Sequence, residues 1–549
     1  TTAGTSNFIA GVNAGNSITS GGNYNTVVGD EAGTAITTAS FNTALGTSSL
    51  KTNTTGHSNT ALGYSTLELN TTGIRNLAVG MQSLEANTTG SYNVAVGNSA
   101  LFVNTTASNN TAVGYASLSA NTTGTANVAV GKDAMLANTT GGTNVAMGAD
   151  ALTANTTGSS NTALGQASLE ANTTASFNTG VGRNALALNT TGANNTAVGY
   201  NSLVANTTAD ANTAVGTSAL AANTTGTENV SVGTYALDAN TTASYNTALG
   251  YKSLTTNTTG ANNTSVGRHS LYANTTGSEN VAIGPQALAG VTTGYENIGI
   301  GRGAGIGITT GIRNTFIGDD AGYLITGGSE NTIIGRYNGN NGGLDIRTQN
   351  NHIVLSDGDG NPRGFFDSNG GFRVNNTSYL GNSAEILSVK GSADTACLQT
   401  TASSGGTALH LNRSASTGNL IYLTYGAFGP VGSVSTNGSS TSYNTTSDHR
   451  LKENVVYDWD ATTRLKQLKP ARFNFIADAD TTVDGFLAHE AQAVVPEAVQ
   501  GTHNEVDDEG VAVMQGIDQS KLVPLLVKAI QEQQALIESL TARIETLEG

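Results

Sequence analysis

Residues 59–75 read Asn59-Thr60-Ala61-Leu62-Gly63-Tyr64-Ser65-Thr66-Leu67-Glu68-Leu69-Asn70-Thr71-Thr72-Gly73-Ile74-Arg75, and at Asn76 the pattern starts again. Asn-x-x-x-Gly returns every 17 residues from Asn25-Thr26-Val27-Val28-Gly29 to Asn331-Thr332-Ile333-Ile334-Gly335, and with an offset first copy, Asn7 to Gly11, there are twenty. Every copy keeps the Asn and the Gly. Most keep a Leu four residues after the Gly, as at Leu50, Leu67, Leu84 and Leu101, and fourteen carry Asn-Thr-Thr three residues beyond it. A unit this short cannot bury a core alone, so repetition at a fixed period implies stacking, each unit covering the apolar side of its neighbour. Short apolar, β-branched triplets bounded by Gly and by a polar Asn-Thr-Thr-Gly corner favour strands and turns over helix. The expected fold is therefore mainly β, with a parallel β-roll or β-helix shaft over residues 1–340. In such a coil identical residues stand above one another at roughly 4.8 Å, so Asn can form amide ladders and Gly can take turns of positive φ. Twenty coils would span about 95 Å. A narrow coil with one or two apolar residues inside leaves Ala and Val on its flank, and association of three chains would bury them.

Composition agrees with an elongated, repetitive molecule. The 549 residues hold 69 Gly and only six Pro, and aromatic residues make up 5%, unlike a set of ordinary globular cores. The formal charge is −16 and the negative excess is shared by both parts of the chain, so no basic stripe exists to neutralise phosphates and no nucleic-acid partner is expected. Cys397 is the single cysteine, which rules out an intrachain disulfide and leaves stability to packing or oligomerisation. No apolar run reaches the length of a membrane span and no basic-plus-apolar secretory stretch stands at Thr1. The reading is of a soluble chain with no membrane insertion and an undetermined route of export.

Three patterns inside the repeat have plain structural readings. The Asn-Thr-Thr triplets at Asn53, Asn70, Asn87 and onward are formal glycosylation acceptors, but the repeat already demands Asn and Thr at a corner. Gly299-Ile300-Gly301-Arg302-Gly303-Ala304 is loosely a dinucleotide loop, yet no helix pattern follows it. Columns of Thr with regular hydroxyl spacing could meet ice or a glycan, and a structural column is the preferred reading. Beyond about Gly339 the period fails. Residues 341–384 read as a β-hairpin connector, with strands at Asn351-His352-Ile353-Val354-Leu355-Ser356 and Gly364-Phe365-Phe366-Asp367. Asp357, Asp359 and Asn361 between them resemble half of a calcium loop, but Pro362 and Ser368 stand where that loop needs Gly and Glu, so a hairpin turn is expected. Residues 385–446, with Ala408-Leu409-His410-Leu411-Asn412-Arg413 and Leu420-Ile421-Tyr422-Leu423, read as a small β tip or neck suited to receptor contact.

At Thr446-Ser447-Asp448-His449-Arg450-Leu451-Lys452 the character changes: residues 447–549 hold 27 of the 62 charged residues in 103 positions. A serine hydroxyl is a weak nucleophile unless a base removes its proton, and a desolvated lysine can be that base. Farther on, Val523, Ile530, Ile537 and Ile544 recur every seven residues with Leu526, Gln533, Leu540 and Leu547 between them, a coiled-coil seam over about 520–549. Ile paired with Leu in this way formally favours two strands, in tension with three chains, and Gln533 offers a polar mark for register.

Two resemblances carry these features further. The repeat over residues 7 to about 340 resembles the head repeats of trimeric autotransporter adhesins and the Asn-Thr-Ala-Val-Gly arrays of bacterial and phage tail-fibre proteins. Ser447-Asp448-His449-Arg450-Leu451-Lys452, Leu468-Lys469-Pro470-Ala471, Gly485-Phe486-Leu487-Ala488-His489-Glu490-Ala491-Gln492 and Leu522-Val523-Pro524-Leu525-Leu526 onward resemble the intramolecular chaperone auto-processing domain that ends phage tail fibres, tailspikes and endosialidases. Departures are small: that family often has Gln where His489 stands, and varies at His449. The resemblance implies an α+β chaperone over residues 447–549, a homotrimer, and a cleavage between Thr446 and Ser447. In that cleavage Ser447 is the nucleophile and Lys452 the base, acting once in cis with no external substrate, no cofactor and no metal. Asp448 and Arg450 read as a local ion pair and His449 as an exposed side chain. The expected function is a viral, phage-type tail fibre on the virion or an extracellular surface, whose partners are its own copies, other virion tail proteins and a host receptor or glycan. A bacterial trimeric adhesin or ice-binding filament and a glycan-degrading tailspike are the alternatives. The charge-poor repeats offer no convincing pair of carboxylates for the last.

Overall fold

The computed structural model describes residues 4–368, 370–374, 387–389, 418–424, 430–436, 441–445, 447–476, 478–506 and 510–549. The chain divides into two compact units, Thr1–Leu398 and Gln399–Gly549.

Unit one is a parallel β-solenoid. Twenty strands of three residues, β1 (Phe8–Ala10) to β20 (Thr332–Ile334), each pair in parallel with the next. Thr43 stands on Thr60, Ala44 on Ala61 and Leu45 on Leu62, so the register repeats the sequence period. Coils are numbered here by their strands. Every coil is tied to its neighbours by main-chain bonds such as Thr43 N–H to Asn59 C=O (2.8 Å), Gly46 N–H to Val28 C=O (2.8 Å) and Leu50 N–H to Thr66 C=O (3.0 Å).

The interior explains the invariant residues. The Asn that opens each of strands β2 to β20 is buried: Asn42 donates its backbone N–H to Asn25 Oδ1 at 3.0 Å and its Nδ2 to Gly56 C=O at 3.0 Å. The Asn of the Asn-Thr-Thr corner makes a second ladder, Asn70 Nδ2 donating to Asn53 Oδ1 at 2.7 Å and to Gly73 C=O at 3.1 Å. Both ladders satisfy amides that would otherwise be expensive to bury. Thr71 Oγ1 adds a bond to Thr88 C=O at 3.1 Å. Gly46 sits at φ +135°, a region open only to Gly, and a Cβ there would also meet the main chain of Gly63. Leu50 adopts φ +50° although it is not Gly. That costs on the order of 1 kcal/mol and is offset by complete burial of its side chain.

The flank differs from the sequence expectation. The middle residue is Ala in most strands, as Ala44 or Ala61, and that Ala is fully buried inside its own coil. With a side-chain period of two, the first and third strand residues share the outer face instead. Leu45, Leu62, Leu164, Leu249, Ile283 and Ile334 are 40–46% exposed there, and together with Val in other coils they form an apolar stripe. In most coils this inner position holds a small side chain, Val27, Phe316 and Ile333 being larger, and the first and third residues of the strand turn outward.

After β20 come the short hairpin β21 (Asn340–Asn341) and β22 (Leu344–Asp345), then β23 (Ile353–Ser356), which continues the parallel stack on β20. β24 (Pro362–Phe366) and β25 (Phe372–Val374) follow antiparallel, and β26 (Leu387–Val389) pairs with β25. The turn between β23 and β24 uses its oxygens internally. Asp357 Oδ1 accepts the N–H groups of Asp359 (3.0 Å) and Asn361 (2.9 Å), and Oδ2 accepts Arg363 Nη2 at 2.6 Å. These bonds hold the Asp357 carboxyl down to about 2, the Asn361 backbone first and the Arg363 guanidinium next. Gly299 lies in strand β18 (Ile298–Ile300), a coil position with no dinucleotide-type helix after it.

In unit two, β27 (Gly418–Thr424), β28 (Pro430–Thr436) and β29 (Thr441–Thr445) form an antiparallel meander, and β27 contains the expected strand at 420–423. Residues 408–413 and Cys397 lie outside the described residues. Helix α1 (Ala461–Leu465), hairpin β30 (Ala471–Phe475) and β31 (Asp478–Gly485), helix α2 (Ala488–Gln492), the short pair β32 (Val499–Gln500) and β33 (Gly516–Ile517), and helix α3 (Val523–Glu548) complete the chain. Among the described residues no helix is long and apolar enough to cross a membrane.

Candidate functional site

The residues singled out at the junction are brought together by one tight turn. Asp448 caps a 3-10 turn over His449–Leu451, its carboxylate accepting the Arg450 N–H at 2.9 Å, and the Lys452 N–H closes the turn on His449 C=O at 3.1 Å. Asp448 and Arg450 also form a two-pronged ion pair, Nε to Oδ1 at 3.0 Å and Nη2 to Oδ2 at 2.7 Å. Arg450 holds the Asp448 carboxyl below the usual carboxylate range. With the turn locked this way, Lys452 folds back over it and places Nζ 2.6 Å from Ser447 Oγ. Five residues of sequence separation thus become direct contact.

Ser447 and Lys452 are both exposed in the single chain, and the His449 side chain is 94% exposed. Thr446, the residue on the other side of the expected cleavage, lies outside the described residues. The contact lets an ammonium donate to the serine oxygen, or a free amine take the hydroxyl proton. The second role needs a less hydrated lysine than an exposed one.

The domain below this turn has a small core. Ala461, Val495, Ala498, Leu522, Leu525 and Ala529 are buried together, with Trp459, Leu465, Leu468, Phe486 and Val494 packed against them. Arg464 links α1 to the segment after α2, Nε donating to Val494 C=O at 2.8 Å and Nη2 to Glu497 at 3.0 Å. Glu532 of α3 accepts the N–H groups of Ala461 (3.0 Å) and Thr462 (2.7 Å), so a carboxylate of the long helix caps the first turn of α1. Those backbone bonds hold the Glu532 carboxyl below its ordinary range. Sequence reading assigned Glu532 no role. It stands off the heptad seam, and the partner it caps is some seventy residues away.

Helix α3 has two faces. Leu525 and Ala529 are buried against the domain, whereas the seam residues Val523, Leu526, Ile530, Ile537, Leu540 and Ile544 are all exposed. A row of large aliphatics thus lies exposed along a 26-residue helix.

Residues 447–500 match the family described as "Chaperone of endosialidase". No curated protein and no solved structure matches the chain. A chaperone-of-endosialidase domain near the C-terminus and a parallel β-solenoid of twenty coils ahead of it fit a tail-fibre or endosialidase-type protein with a C-terminal chaperone.

Proposed function

We propose that this chain is a homotrimeric phage tail fibre, borne on the virion, that binds a host receptor or glycan. Its C-terminal domain first aligns three chains and then cuts itself away before Ser447. The observation that supports cleavage is the 2.6 Å contact from Lys452 Nζ to Ser447 Oγ in the segment matched to the chaperone family. Lys452 takes the hydroxyl proton, Ser447 Oγ attacks the carbonyl carbon of Thr446, and the C–N bond breaks with the proton delivered to the Ser447 nitrogen. The resulting ester is hydrolysed by water, leaving a carboxylate on Thr446 and a free Ser447 amine. Association of the chains supplies the dehydration that the exposed lysine lacks, which orders assembly before cutting.

Support for three chains comes from the exposed seam of α3 and the apolar outer stripe of the solenoid, two faces that self-association would cover. The finer division into a shaft (1–340), a connector (341–384), a neck (385–446) and a chaperone (447–549, with its coiled coil from about 520) is part of the proposal. A chaperone suits such a shaft because identical coils allow whole-unit slips between chains, and a helical bundle that forms first removes that freedom. Cutting then leaves the fibre kinetically trapped.

Intact-mass analysis of the expressed protein tests the reading. A fragment starting at Ser447 is expected from the natural chain, and Ser447→Ala and Lys452→Ala should leave it uncut while it still assembles. A natural chain that forms trimers yet stays whole would overturn the cleavage mechanism. A chain that is monomeric by light scattering would overturn the chaperone reading.

A further inference from the structure

Most mid-shaft coils offer their neighbours nearly the same contacts. Ala stands on Ala and Leu on Leu in most of them, with Met135, Gly180, Ser231 and Ser265 as the departures, and the corner ladder runs unbroken from Asn53 to Asn274, with bonds such as Asn121 Nδ2 to Asn104 Oδ1 at 2.9 Å repeated coil after coil. A slip of one whole coil within the chain would restore the corner ladder and most of the apolar contacts, at the cost of a 17-residue loop.

Coils 17–20 break this degeneracy. In coils 18 and 19 the Leu position becomes Gly305 and Gly322, and the corner Asn becomes Ile308 and Ile325, both fully buried. The strand Ala of coil 19 becomes Phe316, also fully buried. The changes fit one another. A Cβ on Gly305 would stand 2.5 Å from Phe316 Cδ2, and one on Gly322 2.6 Å from Phe316 Cδ1, so the two glycines form the hole that the ring fills. One coil earlier, a Cβ on Gly299 would stand 2.7 Å from Leu288 Cγ. Phe316 shifted by one coil would therefore collide with Leu288. Cross-coil ion pairs add a second code: Arg302 with Asp319 and Asp320 (both 2.9 Å), and Arg313 with Glu296 (2.7 Å) and Glu330 (3.5 Å). Each exposed pair is weak alone, but a slip would unmake the whole set. Coils 1 and 2 carry part of the exchange, Gly15 with Ile18 and Gly33 with Ile36, but no aromatic side chain occupies their strand middles, Ile9 and Val27.

We propose that coils 17–20 are the register-setting seed of the shaft. They fold first, because there the interlocking of large and absent side chains makes each coil most selective for its neighbour, and the more nearly interchangeable coils then add to them in order towards coil 1. The seed works within each chain and is independent of cleavage.

Pulse-labelled hydrogen exchange on the full chain during refolding tests the order. Residues 281–337 should gain protection before residues 100–250. Protection that arises first in the middle or in coils 1 and 2, or everywhere together, overturns the proposal. A second measurement needs no refolding. The variant Gly305→Leu/Phe316→Ala/Gly322→Leu gives coils 18 and 19 the mid-shaft Leu and Ala. It should lose the single protease-resistant shaft of the natural chain and give a ladder of masses separated by whole 17-residue units. A single resistant mass from the folded variant would equally overturn it. If the variant does not fold, the exchange order decides alone.

Discussion

Replacing Asn121 by Ala in the middle of the shaft should open the solenoid locally and leave distant coils untouched. Asn121 Nδ2 donates to Asn104 Oδ1 and to Gly124 C=O, both at 2.9 Å, and its Oδ1 accepts Asn138 Nδ2 at 2.9 Å. With Ala in place, Gly124 C=O keeps Asn110 Nδ2 and Asn138 Nδ2 keeps Gly141 C=O. Asn104 Oδ1 loses its donor altogether, and Asn138 loses one of two acceptors. One orphaned acceptor and one half-satisfied donor, all in a fully buried column, cost roughly 2–4 kcal/mol. At 1.4 kcal/mol per factor of ten this is about a 30- to 700-fold rise in local opening. Each coil touches only its two neighbours, so the loss should stay near the lesion. Amide hydrogen exchange read by mass spectrometry should show it in residues 104–141 and not in residues 200–260. Thr123→Ala, on the exposed side of the same coil, is the control and should change stability by less than about 0.5 kcal/mol. If Asn121→Ala behaves like that control, or weakens the whole shaft evenly, the ladder argument is wrong.

Gly148→Ala should be worse than an ordinary surface change. The residue sits at φ +144° and a Cβ would stand 2.5 Å from the Gly165 carbonyl oxygen, so a loss of about 3 kcal/mol is expected in thermal or denaturant unfolding. His352 makes the connector sensitive to mild acid. It is buried against Phe365, and its pKa is lowered by burial first, with Arg373 adding to this and the Asn350 backbone and Asp367 opposing it. The unfolded chain therefore binds the proton at a higher pH than the folded one. Stability should be full above about pH 6.5 and fall as the pH drops below it towards the depressed folded value. His352→Phe should remove that slope in melting curves taken between pH 5 and 7.5. Ile537→Asp on the exposed seam of α3 should abolish self-association in light scattering while leaving the circular dichroism of the domain intact; an unchanged oligomer would show that the seam is not the contact.

Much of the architecture is one-dimensional information and was readable as such. A period of 17 residues with Asn and Gly in every copy implied stacked coils, amide ladders and left-handed glycines, because identical residues in a parallel stack must meet their own kind. The heptad in α3 and the Asp448–Arg450 pair were legible for the same reason: their partners lie at short, regular spacings. Which side chain faces in was not. A three-residue strand commonly carries Ala between two larger neighbours, and only the path of the folded coil decided that the middle residue faces inward and Leu45 or Ile283 outward. Motif spacing marked Ser447 and Lys452 but left open whether they touch; the capped turn at His449–Leu451 brings them to 2.6 Å. Glu532 reaching the N-terminus of α1, and Phe316 filling the space of two absent leucines, belong wholly to tertiary structure. Each joins residues whose spacing follows no period, and such contacts exist only once the backbone path has set which side chains share a volume.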